Sequence, residues 1–233
     1  YAGYNGNAGI TAQPGSTLTI DQSTISDNFN YGVYAYGAPV AITNSLVTRN
    51  AGYGVYIHAA PVINLSGTTV SENSGYAGYL GVTDTALDLS STTFTSNVHN
   101  LLVISGSITG STTLEKHGDL AYGFDTLTVN PGATLTLNPG VVFKSYYGGS
   151  SQITVNGTLA ANGSEAEPVT ITSYRDDTVG GDTNGDGSDS QPAAQDWRTI
   201  TVNSGGTLAL SHTAVRYAGY NGNAGITAQP GST

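Results

Sequence analysis

The chain lacks cysteine and methionine, and only 9% of its 233 residues are charged. Without cysteine it can form no disulfide bond and carry out no thiol chemistry. Six basic residues against sixteen acidic ones give a formal charge of −10. Such a surface repels a phosphate backbone, so we expect no nucleic-acid partner. No apolar run approaches the ~20 residues of a membrane-spanning helix. With neither a signal peptide nor an initiating methionine, we expect a segment of a longer protein.

Glycine, tyrosine and β-favouring residues are abundant instead. The chain has 32 Gly and 15 Tyr, and 38% of its residues are hydrophobic. Threonine, serine, asparagine and valine are frequent, and strong helix formers are few. Because the apolar residues recur at regular spacing, this composition predicts a folded, turn-rich, all-β chain and not a disordered one.

A long segment occurs twice. Residues 1–17 read YAGYNGNAGITAQPGST, and residues 217–233 repeat those letters without a mismatch. An identity of this length is not chance. It predicts tandem modules, with residues 1–216 forming one module and residues 217–233 beginning the next.

A shorter period lies inside the module. Four successive stretches, which begin at Ser16, Pro39, Pro61 and Thr85, align with one another. Apolar positions then fall on apolar positions in two columns: Ile20, Ile42, Leu65 and Leu89, and Ile25, Val47, Val70 and Phe94. A unit this short cannot bury its own apolar face and must stack on its neighbours. The pattern predicts a parallel β-solenoid of roughly nine coils per module. It weakens between Ser105 and Phe124, where the register cannot be fixed.

The same alignment stacks one asparagine per coil, in a column formed by Asn28, Asn50, Asn73 and Asn97. Asparagine tolerates left-handed backbone geometry, and its amide can hydrogen-bond to an identical amide above it. We therefore expect an asparagine ladder at a tight corner of the coil.

Three runs in the second half carry a family resemblance: GATLTLNPGVVFKS, ITVNGTLAANGSEAEPVTITSYRDD and DWRTITVNSGGTLALSHTAVRYAG. They resemble the right-handed parallel β-helix repeats, or pectate-lyase-like coils, of large secreted bacterial surface proteins. The resemblance implies a right-handed coil and an extracellular or cell-surface location. It implies no single activity, because this fold carries enzymes, adhesins and passive stalks alike.

One long acidic insertion, from Arg175 to Trp197, interrupts the strand pattern. Its segment GGDTNGDGSDS matches the first half of an EF-hand-type calcium loop, although Ala193 stands where that loop has its bidentate glutamate. Calcium prefers six to eight hard oxygen ligands. We predict a structural calcium site formed by Asp182, Asn184, Asp186, Ser188 and Asp189, with Asp176, Asp177 and Asp196 as further candidates. A solvated acidic loop without metal is the alternative.

Strand alternation predicts an aromatic stripe. If the aliphatic residues Val33, Ala35, Val55, Ile57 and Leu80 point inward, their neighbours point outward and stack from coil to coil. These are Tyr34, Tyr36, Tyr56, His58 and Tyr79. Such a row can stabilise its own sheet, contact a neighbouring protein or bind a glycan. The direction of a second column, Tyr31, Tyr53 and Tyr76, cannot be assigned from the sequence.

Enzyme motifs are weak. The four histidines, His58, His99, His117 and His212, show no metal-ligand spacing. Acidic residues outside the insertion show no pairing that would suit glycoside hydrolysis. A lyase would place Arg175 or Arg198 as a base beside calcium, but so few basic residues offer no groove for a polyanion.

An uncapped parallel coil exposes backbone groups at both ends, which natural solenoids cover with caps. No capping helix is evident, so we expect each end to meet another module, covalently or by self-association. The sequence therefore predicts a non-enzymatic, extracellular structural or adhesive rod, such as a stalk, adhesin shaft or filament. A carbohydrate-binding or polysaccharide-cleaving β-helix is the alternative.

Overall fold

The computed structural model describes residues 8–83, 85–146 and 148–233. Short β-strands make up nearly all of the regular structure in these ranges, and a one-turn 3-10 helix occupies Tyr220–Gly222. The strands form two compact units, Tyr1–Leu102 with His117–Leu120 and Val103–Lys116 with Ala121–Thr233. The all-β prediction is confirmed. Among the described residues, no helix is long and apolar enough to cross a membrane.

The first unit contains short strands separated by short corners. They are β1 Ile10–Ala12, β2 Leu18–Asp21, β3 Thr24–Ser26, β4 Val33–Tyr36, β5 Val40–Thr43, β6 Leu46–Thr48, β7 Val55–His58, β8 Val62–Asn64, β9 Thr69–Ser71, β10 Tyr76–Thr83, β11 Ala86–Asp88, β12 Thr93–Thr95 and the start of β13 His99–Ile108. Every third strand pairs in parallel, giving the ladders β1-β4-β7-β10, β2-β5-β8-β11 and β3-β6-β9-β12. Each group of three strands is therefore one coil.

The registers confirm the predicted columns. Ile25 lies opposite Val47, Val47 opposite Val70, and Val70 opposite Phe94. These are the pairings that the alignment of the four stretches predicts. Val47 and Val70 are fully buried, so the stacked aliphatic side chains form the core of this unit.

The corners turn on single residues with left-handed backbone geometry. One corner uses Gln22 and Asn44, and another uses Asp27, Arg49, Glu72 and Ser96. Each residue of this second column directly precedes a ladder asparagine, so the expectation that the asparagines themselves adopt left-handed geometry is wrong. At this corner each residue with left-handed geometry is followed by a ladder asparagine, whose side chain is buried.

The second unit holds the rest of the strands. They are β14 Ser111–Leu114, β15 Ala121–Val129, β16 Thr134–Leu137, β17 Val142–Ser145, β18 Gln152–Val155, β19 Thr158–Asn162, β20 Val169–Thr172, β21 Ile200–Val202, β22 Thr207–Ser211, β23 Thr213–Val215 and β24 Ile226–Ala228. Parallel ladders run β14-β16-β19-β22, β15-β17-β20-β23 and β15-β18-β21-β24. With the first unit this gives about nine coils, as predicted.

The long strand β15 begins at the end of the stretch in which the sequence pattern weakens. The first part of β15 pairs with β17, and its last part pairs with β18. One continuous strand therefore stands in this coil where the next coil has two separate strands. Phe124 is fully buried and packs edge-on against Phe143 and Trp197, with ring centroids 4.9 and 5.2 Å apart. The acidic insertion lies between β20 and β21.

Candidate functional site

The acidic insertion is anchored at both ends by buried groups. Asp176 accepts a hydrogen bond from Thr172 Oγ1 at 2.7 Å and lies 3.7 Å from Arg216. Asp196 accepts one from Ser173 Oγ at 2.6 Å and pairs with Arg175 at 3.2 Å. These two aspartates, which the sequence analysis named as further candidate ligands, therefore have partners within the protein and lie outside the group of carboxylates that could hold a metal ion.

The turn that follows is shaped by Asp182. Its carboxylate accepts the backbone N–H of Gly185 at 2.6 Å and that of Gly187 at 2.8 Å. Both glycines have φ above +70°, which other residues rarely adopt. Asn184 donates from Nδ2 to Asp186 Oδ2 at 2.9 Å. The alternation of acidic or amide residues with glycine thus bends the loop so that its oxygens converge.

Three carboxylates meet inside this turn. One oxygen from each of Asp177, Asp182 and Asp186 lies within 4.8 Å of the other two. Oδ1 of Asp177, Asn184 and Asp186 is buried and has no hydrogen-bond partner in the described structure. Burial raises the pKa of Asp177, and the nearby carboxylate of Asp182 raises it further. Buried oxygens without donors, in a field of like charge, are destabilising unless a cation joins them.

Lys144 is a cation at this place that the sequence analysis missed. It belongs to strand β17 and is fully buried, and its Nζ donates to the carbonyl of Gly181 at 2.6 Å. Burial lowers its pKa to about 8, against the opposing effect of Asp177 and Asp176. One lysine offsets only part of the charge of the three carboxylates. In the sequence Lys144 looked like an ordinary strand residue, because its burial depends on the distant insertion that covers it.

The arrangement suits a calcium ion, since carboxylate and amide oxygens are the ligands this ion prefers. Of the residues predicted from the sequence, Asp182 and Asp186 belong to the carboxylate cluster, and the adjacent Asn184 has a buried oxygen without a donor. Asp177 completes the cluster. Ser188 and Asp189 are exposed, and Asp189 lies outside the cluster.

The two arginines considered for a lyase have other contacts. Arg175 pairs with Asp196, and Arg198 donates to Gln152 Oε1 at 3.4 Å. Neither contact joins an arginine to the three carboxylates of the cluster. These contacts therefore place neither arginine as a base beside the candidate calcium site.

The aromatic stripe lies on one face of the ladder β4-β7-β10. The rings of Tyr34 and Tyr56 stack at 5.7 Å with a 9° interplanar angle, and those of Tyr56 and Tyr79 at 4.9 Å with 10°. Tyr36 contacts His58 at 4.9 Å. Burial raises the pKa of Tyr56 to about 12, with a contribution from Tyr79. The rings therefore shield one another from water.

The second tyrosine column lies beside this stripe. Tyr31, Tyr53 and Tyr76 follow one another at 5.6 and 5.2 Å. Tyr31 also lies 5.2 Å from Tyr56, and Tyr53 lies 5.5 Å from Tyr56. The two columns form one aromatic surface, whose members are half-buried apart from the more exposed Tyr36.

The asparagine ladder is continuous through the first unit. Nδ2 of Asn28 donates to Oδ1 of Asn50 at 2.7 Å, Asn50 to Asn73 at 2.9 Å, and Asn73 to Asn97 at 2.8 Å. Each acceptor oxygen also receives the backbone N–H of the preceding asparagine, at 3.0 to 3.2 Å. Every ladder side chain is buried. The column therefore binds coil to coil and presents no site for a ligand.

Comparison with known proteins bears on the fold. The model of a family described as a right handed beta helix region matches residues 2–117, about half of the chain. No curated protein and no solved structure gives a significant match. The matched residues contain all of the coils from β2 to β12, in which the three ladders and the asparagine column are continuous.

Proposed function

The chain belongs to the right-handed parallel β-helix family, and on that basis we propose that it is a structural or adhesive rod of the cell surface or extracellular space. The observation that carries the proposal is the continuity of stacking within each unit. Backbone ladders, aliphatic columns and the asparagine column all run from coil to coil. The tandem modules that the repeated segment predicts would supply more coils of the same kind. Such an arrangement provides stiffness and length, not a reactive centre.

The aromatic surface adds a place for lateral contact. Tyrosine rings that are half-buried against one another lose little conformational entropy when a partner covers them. A neighbouring rod or a flat glycan suits such a surface. If neighbouring rods associate side by side through this surface, replacement of Tyr34 and Tyr56 by serine should reduce the number of rods in each bundle and leave the length of the rods unchanged. The matched control is Tyr220→Ser, which removes an exposed tyrosine outside the surface.

Electron microscopy of the native material tests the main proposal. We expect long, uniform fibres, and antibodies against the chain should label intact cells as strongly as lysed cells. Isolated particles one module long, or labelling that needs lysis, would contradict a surface rod. Cleavage of polygalacturonate in the presence of calcium would favour the lyase alternative instead.

A structural calcium ion is the second part of the proposal. The unpartnered oxygens of Asp177, Asn184 and Asp186 support it. The ion would cross-link the turn around Asp182 to the start of the insertion and offset the repulsion among three carboxylates. Lys144 would then act as an additional fixed charge that limits calcium affinity, so Lys144→Met should bind calcium more tightly than the unaltered chain.

Replacement of Asp177 by asparagine tests this ion, because its expected effect on stability differs between a chelator and calcium. In a chelator the variant should unfold at a higher temperature than the unaltered chain, because one repelling charge is gone. With calcium it should gain less stability than the unaltered chain, because one ligand charge is gone. Asp189→Asn removes an exposed charge outside the cluster and should respond to calcium like the unaltered chain. Equal unfolding temperatures with calcium and with chelator would contradict the site.

A further inference from the structure

The two copies of the repeated segment adopt the same local structure where both are described. Strand β24 lies in the second copy at the place that β1 has in the first, and both read Ile-Thr-Ala. In the turns that follow, Ser16 and Ser232 each donate their backbone N–H to the glutamine three positions earlier at 3.0 Å. Gly15 and Gly231 have φ of +86° and +82°. The repeat is therefore structural as well as sequential.

The copies differ in what covers them. Strand β1 pairs with β4, with Ile10 opposite Val33, and Ala12 is 5% exposed. Strand β24 pairs with β21, and within the described residues no strand lies along its other edge. Its Ile226 is 37% exposed, and Ala228 is exposed as well. The edge of β24 thus lacks the strand that β4 provides for β1.

Strand β22 has a similar open edge on which pairing has already begun. Leu208 donates its backbone N–H to Thr233 at 2.9 Å, and Thr233 donates to Gly206 at 3.0 Å. Thr233 is the second copy of Thr17, which precedes β2. The next residues of a second copy would therefore run along β22, placing Leu18 over Leu208 and Ile20 over Leu210. Leu210 is 39% exposed, and an apolar side chain would cover it.

The corners of the chain agree with this register. In the same offset Gln22 falls on His212, and their φ angles are +47° and +42°. Asp27 falls on Tyr217, with φ of +59° and +63°. Between these corners Ile25 falls on Val215, which lies opposite the buried Ile171. Two left-handed corners at matching positions mean that the backbone paths superimpose from Leu208 to Tyr217 without an inserted residue. Beyond Tyr217, the segment that leads to β24 contains the 3-10 helix and is three residues longer than the segment that leads from Asp27 to β4.

We infer that the last coil of this chain is the docking surface for the first coil of a second copy of the module, which continues the β-helix with no linker. In this junction β2 pairs with β22, β3 with β23 and β4 with β24. The inference rests on the tandem arrangement in the proposed function and adds to it the register of the contact. The occupant is residues 18–36 of a following module.

Hydrogen–deuterium exchange on a two-module protein, residues 1–216 followed by residues 1–233, tests the junction. Within residues 207–215, the amides that are bonded neither to the preceding coil nor to Thr233 should exchange about a hundredfold more slowly in the first module than in the second module, whose edge stays open. Leu210→Asp in the first module should restore fast exchange there. The same substitution in the second module is the matched control and should leave the junction protected.

The outcomes separate this inference from the proposed function. Equal exchange of residues 207–215 in both modules would overturn the junction, even if native material forms fibres. Protected residues 207–215 in the two-module protein would support it, even if native material forms no fibres. Protection that survives both Leu210→Asp in the first module and a short Gly-Ser insertion after the Thr17 of the second module would also overturn it, because neither variant can keep the stated register.

Discussion

Replacement of Asn73 by alanine tests the asparagine ladder at an interior member, whose side chain makes four hydrogen bonds. Nδ2 of Asn73 donates to Asn97 at 2.8 Å and to the carbonyl of Val47 at 3.2 Å. Its Oδ1 accepts from Nδ2 of Asn50 at 2.9 Å and from the backbone of Asn50 at 3.0 Å. All four bonds are buried, and each contributes about 1 kcal/mol. The free energy of unfolding should therefore fall by about 4 kcal/mol.

Asn28 supplies the matched control, because it is the first member of the column among the described residues. Its side chain donates to Asn50 at 2.7 Å, and the Asn50 oxygen keeps a second donor, the backbone N–H of Asn28 at 3.2 Å. Asn28→Ala should therefore cost about 1 kcal/mol. Urea unfolding followed by circular dichroism measures both variants. Equal losses for Asn28→Ala and Asn73→Ala would refute the idea that ladder bonds, and not loss of side-chain volume, stabilise the coil.

Two further predictions concern the second unit. Phe143→Ala should lower the free energy of unfolding by about 4 kcal/mol, because it leaves a cavity beside Phe124. The control Phe29→Ala changes a side chain that is 60% exposed and should lower it by less than about 0.5 kcal/mol. Similar midpoints of urea unfolding for the two variants would contradict the packing of Phe143 against Phe124. Burial holds the pKa of Lys144 at about 8, below its ordinary 10.5, so between these values the unfolded chain binds a proton that the folded chain does not. In chelator, the free energy of unfolding should therefore rise with pH across this window, by about 3 kcal/mol at most. The Lys144→Met variant should show no such rise. An equal rise in the variant and in the unaltered chain would contradict the burial of the Lys144 ammonium.

Much of the first unit follows from the sequence because its period is short and local. Val47 and Val70 could be placed over one another since the short repeat aligns apolar positions with apolar positions. The left-handed corner was harder to locate. Asp27 and Arg49 turn the chain, and arginine is not a residue type that favours this geometry. The buried Asn28 and Asn50 beside them carry the ladder.

The candidate metal site shows a different limit. Asp182 and Asp186 belong to a recognisable loop motif, so their convergence could be expected from spacing alone. Lys144 could not, because Gly181, whose carbonyl it contacts, is distant in the sequence and no local pattern encodes that contact. Asp177 was only one of several acidic candidates until the bonds of Asp176 and Asp196 showed that those two carboxylates have partners of their own.

Disulfide formation between introduced cysteines tests the stacking of coils most directly, since the natural chain has no cysteine to interfere. Thr24 lies opposite Leu46, and Leu46 lies opposite Thr69. Strands in adjacent coils are about 4.8 Å apart, within reach of a disulfide, and strands two coils apart are at about twice that distance, beyond it. The double variants Thr24→Cys/Leu46→Cys and Leu46→Cys/Thr69→Cys should each lose two thiols under mild oxidation. The double variant Thr24→Cys/Thr69→Cys should keep both of its thiols. Oxidation of this variant at the same rate as the adjacent pairs, or no oxidation of the adjacent pairs, would contradict the stacked coil.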